Sequence, residues 1–170
     1  MILVAAVADL RAQGVQFSLG GGVGIPLGTY DDVVQTGWQG TAGLLFASAG
    51  VPIGFQVDGS LAQFSDETPL DIKTQVTYGT ANAVYKFPSA PTTRFRPYLI
   101  GGLGVYNSKA IGDDAPEGST TEAGINLGAG LDFKPGGVGI FAEARWHNVF
   151  LEGDNLKFLP ITVGVRIGGG

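Results

Sequence analysis

The 170-residue chain has no cysteine, one methionine and one histidine. Without cysteine there is neither a disulfide framework nor a thiolate metal site. A lone histidine, His147, cannot make a catalytic triad by itself. Charge is also scarce: Asp, Glu, Lys and Arg make up 15% of the residues, against roughly 25% in a soluble domain. That is too little to coat a soluble surface of this size. The formal net charge of −5 removes the basic patch that nucleic acid requires. Long apolar runs are missing too, since no stretch approaches the ~18 residues of a membrane helix. Yet the mean hydropathy is +0.22. The 29 glycines follow no collagen-like period, so they belong inside strands and turns. A chain that is apolar overall, alternating, and without a helical span has the pattern of a transmembrane β-barrel.

The alternation is clearest from Thr120 to Val149. Ala123, Ile125, Leu127, Ala129, Leu131 and Phe133 alternate with Gly124, Asn126, Gly128, Gly130 and Asp132, the period of a strand with one apolar face. Lys134-Pro135-Gly136-Gly137 is turn chemistry. Alternation then resumes, with Ile140, Ala142, Ala144 and Trp146 on one side and Phe141, Glu143, Arg145 and His147 on the other. Two such strands predict a hairpin. Pairing around this turn sets Glu143 opposite Gly128 and Arg145 opposite Asn126.

The same reading along the chain predicts eight strands. The first runs from about Val15 to Leu27, the second from Trp38 to about Ala47, and the third from Val51 to Ala62. The fourth, Asp71 to Phe87, changes parity between Val76/Tyr78 and Ala81/Ala83/Tyr85, which a bulge near Gly79 reconciles. In the fifth, Pro97 to Tyr106, Leu99, Leu103 and Val105 compete with Tyr98, Ile100 and Tyr106 for the apolar face. The hairpin supplies the sixth and seventh. The eighth carries Ile161, Val163, Val165 and Ile167 against Thr162, Gly164 and Arg166. Long connections follow strands one, three, five and seven and bear Asp31, Asp32, Asp66, Glu67, Asp113, Asp114, Glu117, Glu152 and Asp154. The short side holds Lys86, Arg94, Arg96 and Lys134. The expected fold is therefore all-β: an eight-stranded antiparallel up-and-down transmembrane β-barrel over residues 14–170, which leaves no sheet edge in lipid. Met1–Gln13 is set apart as the remnant of a truncated export signal, with Ala6-Val7-Ala8 in the form of a cleavage site, or as an N-terminal arm.

Pro97-Tyr98-Leu99-Ile100-Gly101-Gly102-Leu103-Gly104-Val105, Phe141-Ala142-Glu143-Ala144-Arg145 and Ile161-Thr162-Val163-Gly164-Val165-Arg166 resemble the eight-stranded outer-membrane barrels of the OmpX-like and opacity-protein-like group. The resemblance implies a bacterial outer-membrane location, with loops extracellular and both termini periplasmic. It also implies a monomer whose partners are outer-membrane lipids, lipopolysaccharide and the barrel-assembly machinery. That machinery commonly reads a terminal aromatic, and this chain ends in Ile167-Gly168-Gly169-Gly170.

The polar face places Asp58, Glu122, Asp132, Glu143, Arg145 and Arg166 in the lumen. An eight-stranded interior is only wide enough for side chains, so these charges are expected to pair and plug it rather than line a pore. Trp38, Trp146, Tyr85 and Phe87 are expected in the aromatic girdle, the two tryptophans together at the loop-bearing rim. Gly20-Gly21-Gly22-Val23-Gly24 lacks the Lys-Ser/Thr of a phosphate loop. The acidic loops read as solvated surface ahead of a divalent-cation site. No catalytic residue, cofactor or metal is expected, and the function expected is non-enzymatic, structural or surface-interacting. Two alternatives stand beside it. One is a lipid A-modifying enzyme using His147 near the outer rim, with Ser119 and Glu122 as neighbours. The other is a soluble lipid-binding, lipocalin-like barrel with its apolar face turned inward.

Overall fold

The computed structural model describes residues 14–28, 35–48, 50–65, 73–88, 90, 93–112, 118–153 and 155–168. Met1–Gln13 and most of the loop carboxylates (Asp31, Asp32, Asp66, Glu67, Asp113, Asp114, Glu117 and Asp154) lie outside them. Eight strands run in order: β1 (Val15–Leu27), β2 (Gly37–Phe46), β3 (Ile53–Ser65), β4 (Lys73–Lys86), β5 (Phe95–Ile111), β6 (Thr120–Phe133), β7 (Val138–Val149) and β8 (Leu156–Gly168). Each pairs antiparallel with the next, and β8 pairs with β1 to close the barrel. Closure gives every strand two neighbours, so no edge is left unpaired in an apolar solvent.

The stagger follows from the register. Phe17 leads by successive partners to Leu44, Val57, Ala81, Leu103, Ile125, Asn148 and Lys157, and back on β1 to Leu27, ten residues on. With ordinary strand spacings this stagger tilts the strands about 40° from the barrel axis. Three connections, at 47–52, 87–94 and 134–137, share one end of the barrel with the start of β1 and the end of β8. The other four, at 28–36, 66–72, 112–119 and 150–155, share the opposite end; 150–155, with six residues, is shorter than 87–94, with eight, so length alone does not separate the two ends as the sequence suggested. These are called the turn end and the loop end below.

The alternating pattern decides which face looks inward. Leu103, Leu127 and Ile53 are 68%, 64% and 60% exposed on the outside, whereas Tyr98, Tyr106, Phe64 and Phe158 are buried inside. An inward-facing apolar wall of lipocalin type is excluded. The outer face is a continuous apolar band, which a chain tolerates only against lipid or a partner.

Three details differ from the sequence-based reading. There is no bulge at Gly79: β3 and β4 pair without interruption from Ile53↔Tyr85 to Ser65↔Lys73. Val76, Tyr78 and Val84 all point inward with Thr80 and Asn82 between them, and Ala81 and Tyr85 point out. The parity never changes; the lumen itself becomes apolar toward the loop end. On β5, Tyr106 is inward in that loop-end region, Tyr98 and Ile100 are inward nearer the turn end in a second apolar cluster with Leu45 and Val84, and Leu99, Leu103 and Val105 are outward. In the β6–β7 hairpin, Glu143 faces Gly130 and Arg145 faces Gly128, two residues from the pairing expected from the turn. His147, not Arg145, is opposite Asn126.

Candidate functional site

The lumen is filled in three layers. In the middle, Arg145 of β7 reaches across to Asp58 of β3, with Nη1 donating to Oδ2 over 2.9 Å. Its Nε donates to Glu143 Oε1 over 2.9 Å, and its Nη2 reaches the same oxygen. Asp58 is held by Gln56 Nε2 at 2.8 Å and Asn82 Nδ2 at 3.0 Å. Two carboxylates thus share one guanidinium, and neutral amides occupy other lone pairs. Buried charges persist only when paired and hydrogen-bonded in this way.

Toward the turn end a second layer forms. Arg166 of β8 pairs with Asp132 Oδ1, while Lys86 of β4 sits 3.1 Å from Asp132 Oδ2. The Arg166 guanidinium lies between the rings of Tyr98 and Phe141, 4.8 and 4.7 Å from their centroids, a favourable cation–π position. Tyr98 joins the layers: its hydroxyl donates to Glu143 Oε2 over 2.9 Å and accepts from Arg166 Nη2 over 3.2 Å. Across both layers three carboxylates (Asp58, Asp132, Glu143) meet three cations (Lys86, Arg145, Arg166). The interior charge is balanced.

Toward the loop end the lumen turns aromatic. Tyr78 and Tyr106 stack at 5.3 Å, His147 stacks on Phe158 at 4.8 Å, and Phe64 meets Phe158 edge-on at 6.0 Å. Ala62, Val76, Val149 and Leu156 fill the space around them. His147 Nδ1 is bonded to the Tyr106 hydroxyl at 2.8 Å. The histidine is 1% exposed and belongs to this cap, not to the outer rim. Ser119 lies elsewhere, accepting from Asn107 Nδ2 over 3.2 Å, so the serine and carboxylate of a lipid A-cleaving centre are not assembled around His147.

Of the six charges singled out from sequence, Asp58, Glu143 and Arg145 come together in one cluster and Asp132 and Arg166 in the next. Glu122 does not join them. It lies opposite Tyr106 near the loop end, half-buried, and pairs with no cation among the described residues. Sequence reasoning missed Tyr98, Lys86 and the aromatic cap. Their signal was present, since Tyr78, Tyr98, Tyr106 and Phe158 sit in phase with lumen-facing glycines and amides on their own strands.

Those glycines make the layers possible. A Cβ on Gly43 would stand 2.2 Å from Asp58 Oδ1, and one on Gly124 would stand 2.9 Å from the Tyr106 ring. Small residues on one strand make room for large ones on the next, which is how a narrow barrel packs its interior.

On the outside, Trp38 is 53% exposed near the loop-end start of β2. Trp146 is half-buried. The register from Trp38 runs through Val23 and Ile161 to Ala144. The strand tilt carries that path toward the turn end, so Trp146 lies about 5 Å closer to the membrane middle than Trp38. Tyr85 and Phe87, ring centroids 5.1 Å apart, mark the opposite, turn end. Phe17, Phe46, Phe55 and Phe95 are exposed there as well. The denser outward aromatic belt is thus at the turn end.

A closed, right-sized barrel with an apolar exterior, a balanced polar interior and aromatic rims is a transmembrane β-barrel of the outer-membrane class. The chain belongs to the outer membrane protein beta-barrel domain family, whose model matches residues 1–167. Solved structures agree in fold. A major outer membrane protein from Thermus thermophilus superposes with a TM-score of 0.58 at 13% identity, covering 90% of this chain and 98% of that one. The N-terminal barrel domain of Pseudomonas aeruginosa OprF gives 0.53 at 17% identity, over 91% and 98%. The attachment invasion locus protein Ail of Yersinia pestis, in complex with the heparin analogue sucrose octasulfate, gives 0.50 at 16% identity, over 90% and 99%. Comparison with curated proteins finds no matching sequence.

Proposed function

We propose that this protein is a non-enzymatic outer-membrane barrel with a closed interior, acting at the cell surface through its four acidic loop-end connections. The observation that carries the reading is Arg145, buried at the centre of the lumen and bonded to Asp58 on the opposite side and to Glu143 on its own strand. A conducting path would have to pass that ion cluster and then the aromatic cap. With the interior occupied, the parts left to meet other molecules are the loops and the rims.

In this reading the loops are extracellular and both termini periplasmic. The chain is a monomer, surrounded by outer-membrane lipid and lipopolysaccharide after delivery by the barrel-assembly machinery. The loop sequences are rich in Asp and Glu, so they favour a cationic partner surface and disfavour a sulfated polyanion of the kind bound in the Yersinia structure.

Planar-bilayer recording tests the closed interior. The purified, folded protein should give no steady channel at any applied voltage the bilayer withstands. A stable, ion-selective conductance would overturn the reading.

A further inference from the structure

At the turn end the barrel opens into a cavity of about 520 Å³. Among the described residues, Lys86, Arg94, Arg96 and Lys134 line it, with Gln16 and one carboxylate, Asp132. Both oxygens of that carboxylate are already engaged, Oδ1 by Arg166 and Oδ2 by Lys86. Four of the described lining residues are thus cationic and one is acidic, in a chain whose overall charge is −5. Gln16 also lines the cavity, and its side-chain amide carries two N–H donors. Asp132 lines it on the lumen side, where its ion pair with Arg166 leads into the ionic layer that fills the barrel. The cavity volume falls in the range of small-molecule sites and is larger than one inorganic ion needs.

We propose that this vestibule binds a small soluble organic anion carrying two or more phosphate or carboxylate groups. Arg94 and Lys134 stand on the turns at its lip and meet the ligand first, Lys86 meets it further in beside Asp132, and Gln16 donates to it from the wall. Burial pushes the Lys134 ammonium below the ordinary lysine range, with Asp132 pulling the other way; an incoming anion relieves that penalty. The assignment rests on the turn-end geometry alone and holds whether or not the lumen conducts.

The test is isothermal titration of the full, detergent-folded chain in a neutral detergent at low salt, with tripolyphosphate and then citrate as probes. Saturable one-site binding is expected. Arg94→Gln and Lys134→Gln should each weaken it by roughly three- to tenfold. Lys109→Gln, on the loop-end part of β5, should leave it unchanged. Absence of saturable binding at millimolar probe, or an equal loss in Lys109→Gln, overturns the site. NMR of the unmodified protein gives a second reading that needs no variant: the Gln16 side-chain amide should shift with tripolyphosphate while that of Asn107 stays still. A static Gln16 amide counts against the site. Repeating the titration in phosphatidylcholine and phosphatidylglycerol nanodiscs separates a soluble ligand from a lipid headgroup. Equal affinity is expected, and a loss confined to the anionic lipid would overturn the soluble-ligand assignment.

Discussion

A Cβ placed on Gly130 would stand 2.3 Å from the hydroxyl of Tyr98, its cross-strand partner on β5. The glycine is where the phenol lies. That phenol in turn reaches Glu143, which faces Gly130 from the other side on β7. One missing side chain thereby lets a tyrosine span from β5 over β6 to β7 and join the two ionic layers.

Gly130→Ala should therefore displace Tyr98 and cost about 2–4 kcal/mol, combining overpacking with a lost hydrogen bond to a charged group. Urea unfolding in detergent, followed by the heat-dependent shift in gel mobility of the folded barrel, measures it. Combining Gly130→Ala with Tyr98→Leu should recover part of the loss, because the clash disappears with the ring. Strict additivity of the two substitutions would show that they do not share this space.

Arg145→Met leaves Asp58 and Glu143 buried beside each other without their guanidinium. The expected loss is about 3–5 kcal/mol. Adding Asp58→Asn and Glu143→Gln removes the uncompensated charges, and the triple variant should be substantially more stable than Arg145→Met alone. If the triple variant is no better, the cluster contributes through packing and not through charge pairing.

His147 is enclosed by Tyr78, Tyr106 and Phe158. Replacing it by alanine should lower stability through a buried cavity, by roughly 2–4 kcal/mol, and should leave lipid A unmodified, as in the parent. The assay is lipid A in mixed micelles with both proteins. Hydrolysis by the parent that vanishes in His147→Ala would restore an enzymatic reading.

The tryptophans should report different depths. In bilayers brominated at defined positions, Trp38 should be quenched most by shallow bromines, as its exposed place near the loop end requires. Trp146, about 5 Å nearer the middle by the strand tilt, should respond to somewhat deeper ones. Trp38→Phe and Trp146→Phe separate the signals. No quenching of either would contradict a lipid-facing outer wall.

Strand number, strand order and facing were legible in the chain because a barrel wall between lipid and a narrow lumen imposes period two on every crossing. Phe17, Leu44 and Leu127 declare the outer face, while Ser18, Gly43 and Gly128 declare the inner one. Where the lumen is itself apolar, the contrast between faces disappears. That is why β4 and β5 read ambiguously and why a bulge was expected at Gly79 that the continuous β3–β4 pairing does not contain. Charged candidates could be named from their parity, since five of the six do meet in the lumen. Their partners could not be named. Asp58 and Arg145 are separated by 87 residues, and their meeting depends on how far each strand slides past its neighbours. Local sequence specifies the alternation of a strand but hardly its register, because a shift of two residues preserves every facing. The ten-residue stagger on closure, and with it which glycine admits which ring and which cation meets Asp132, was decided only when all eight strands packed one common interior.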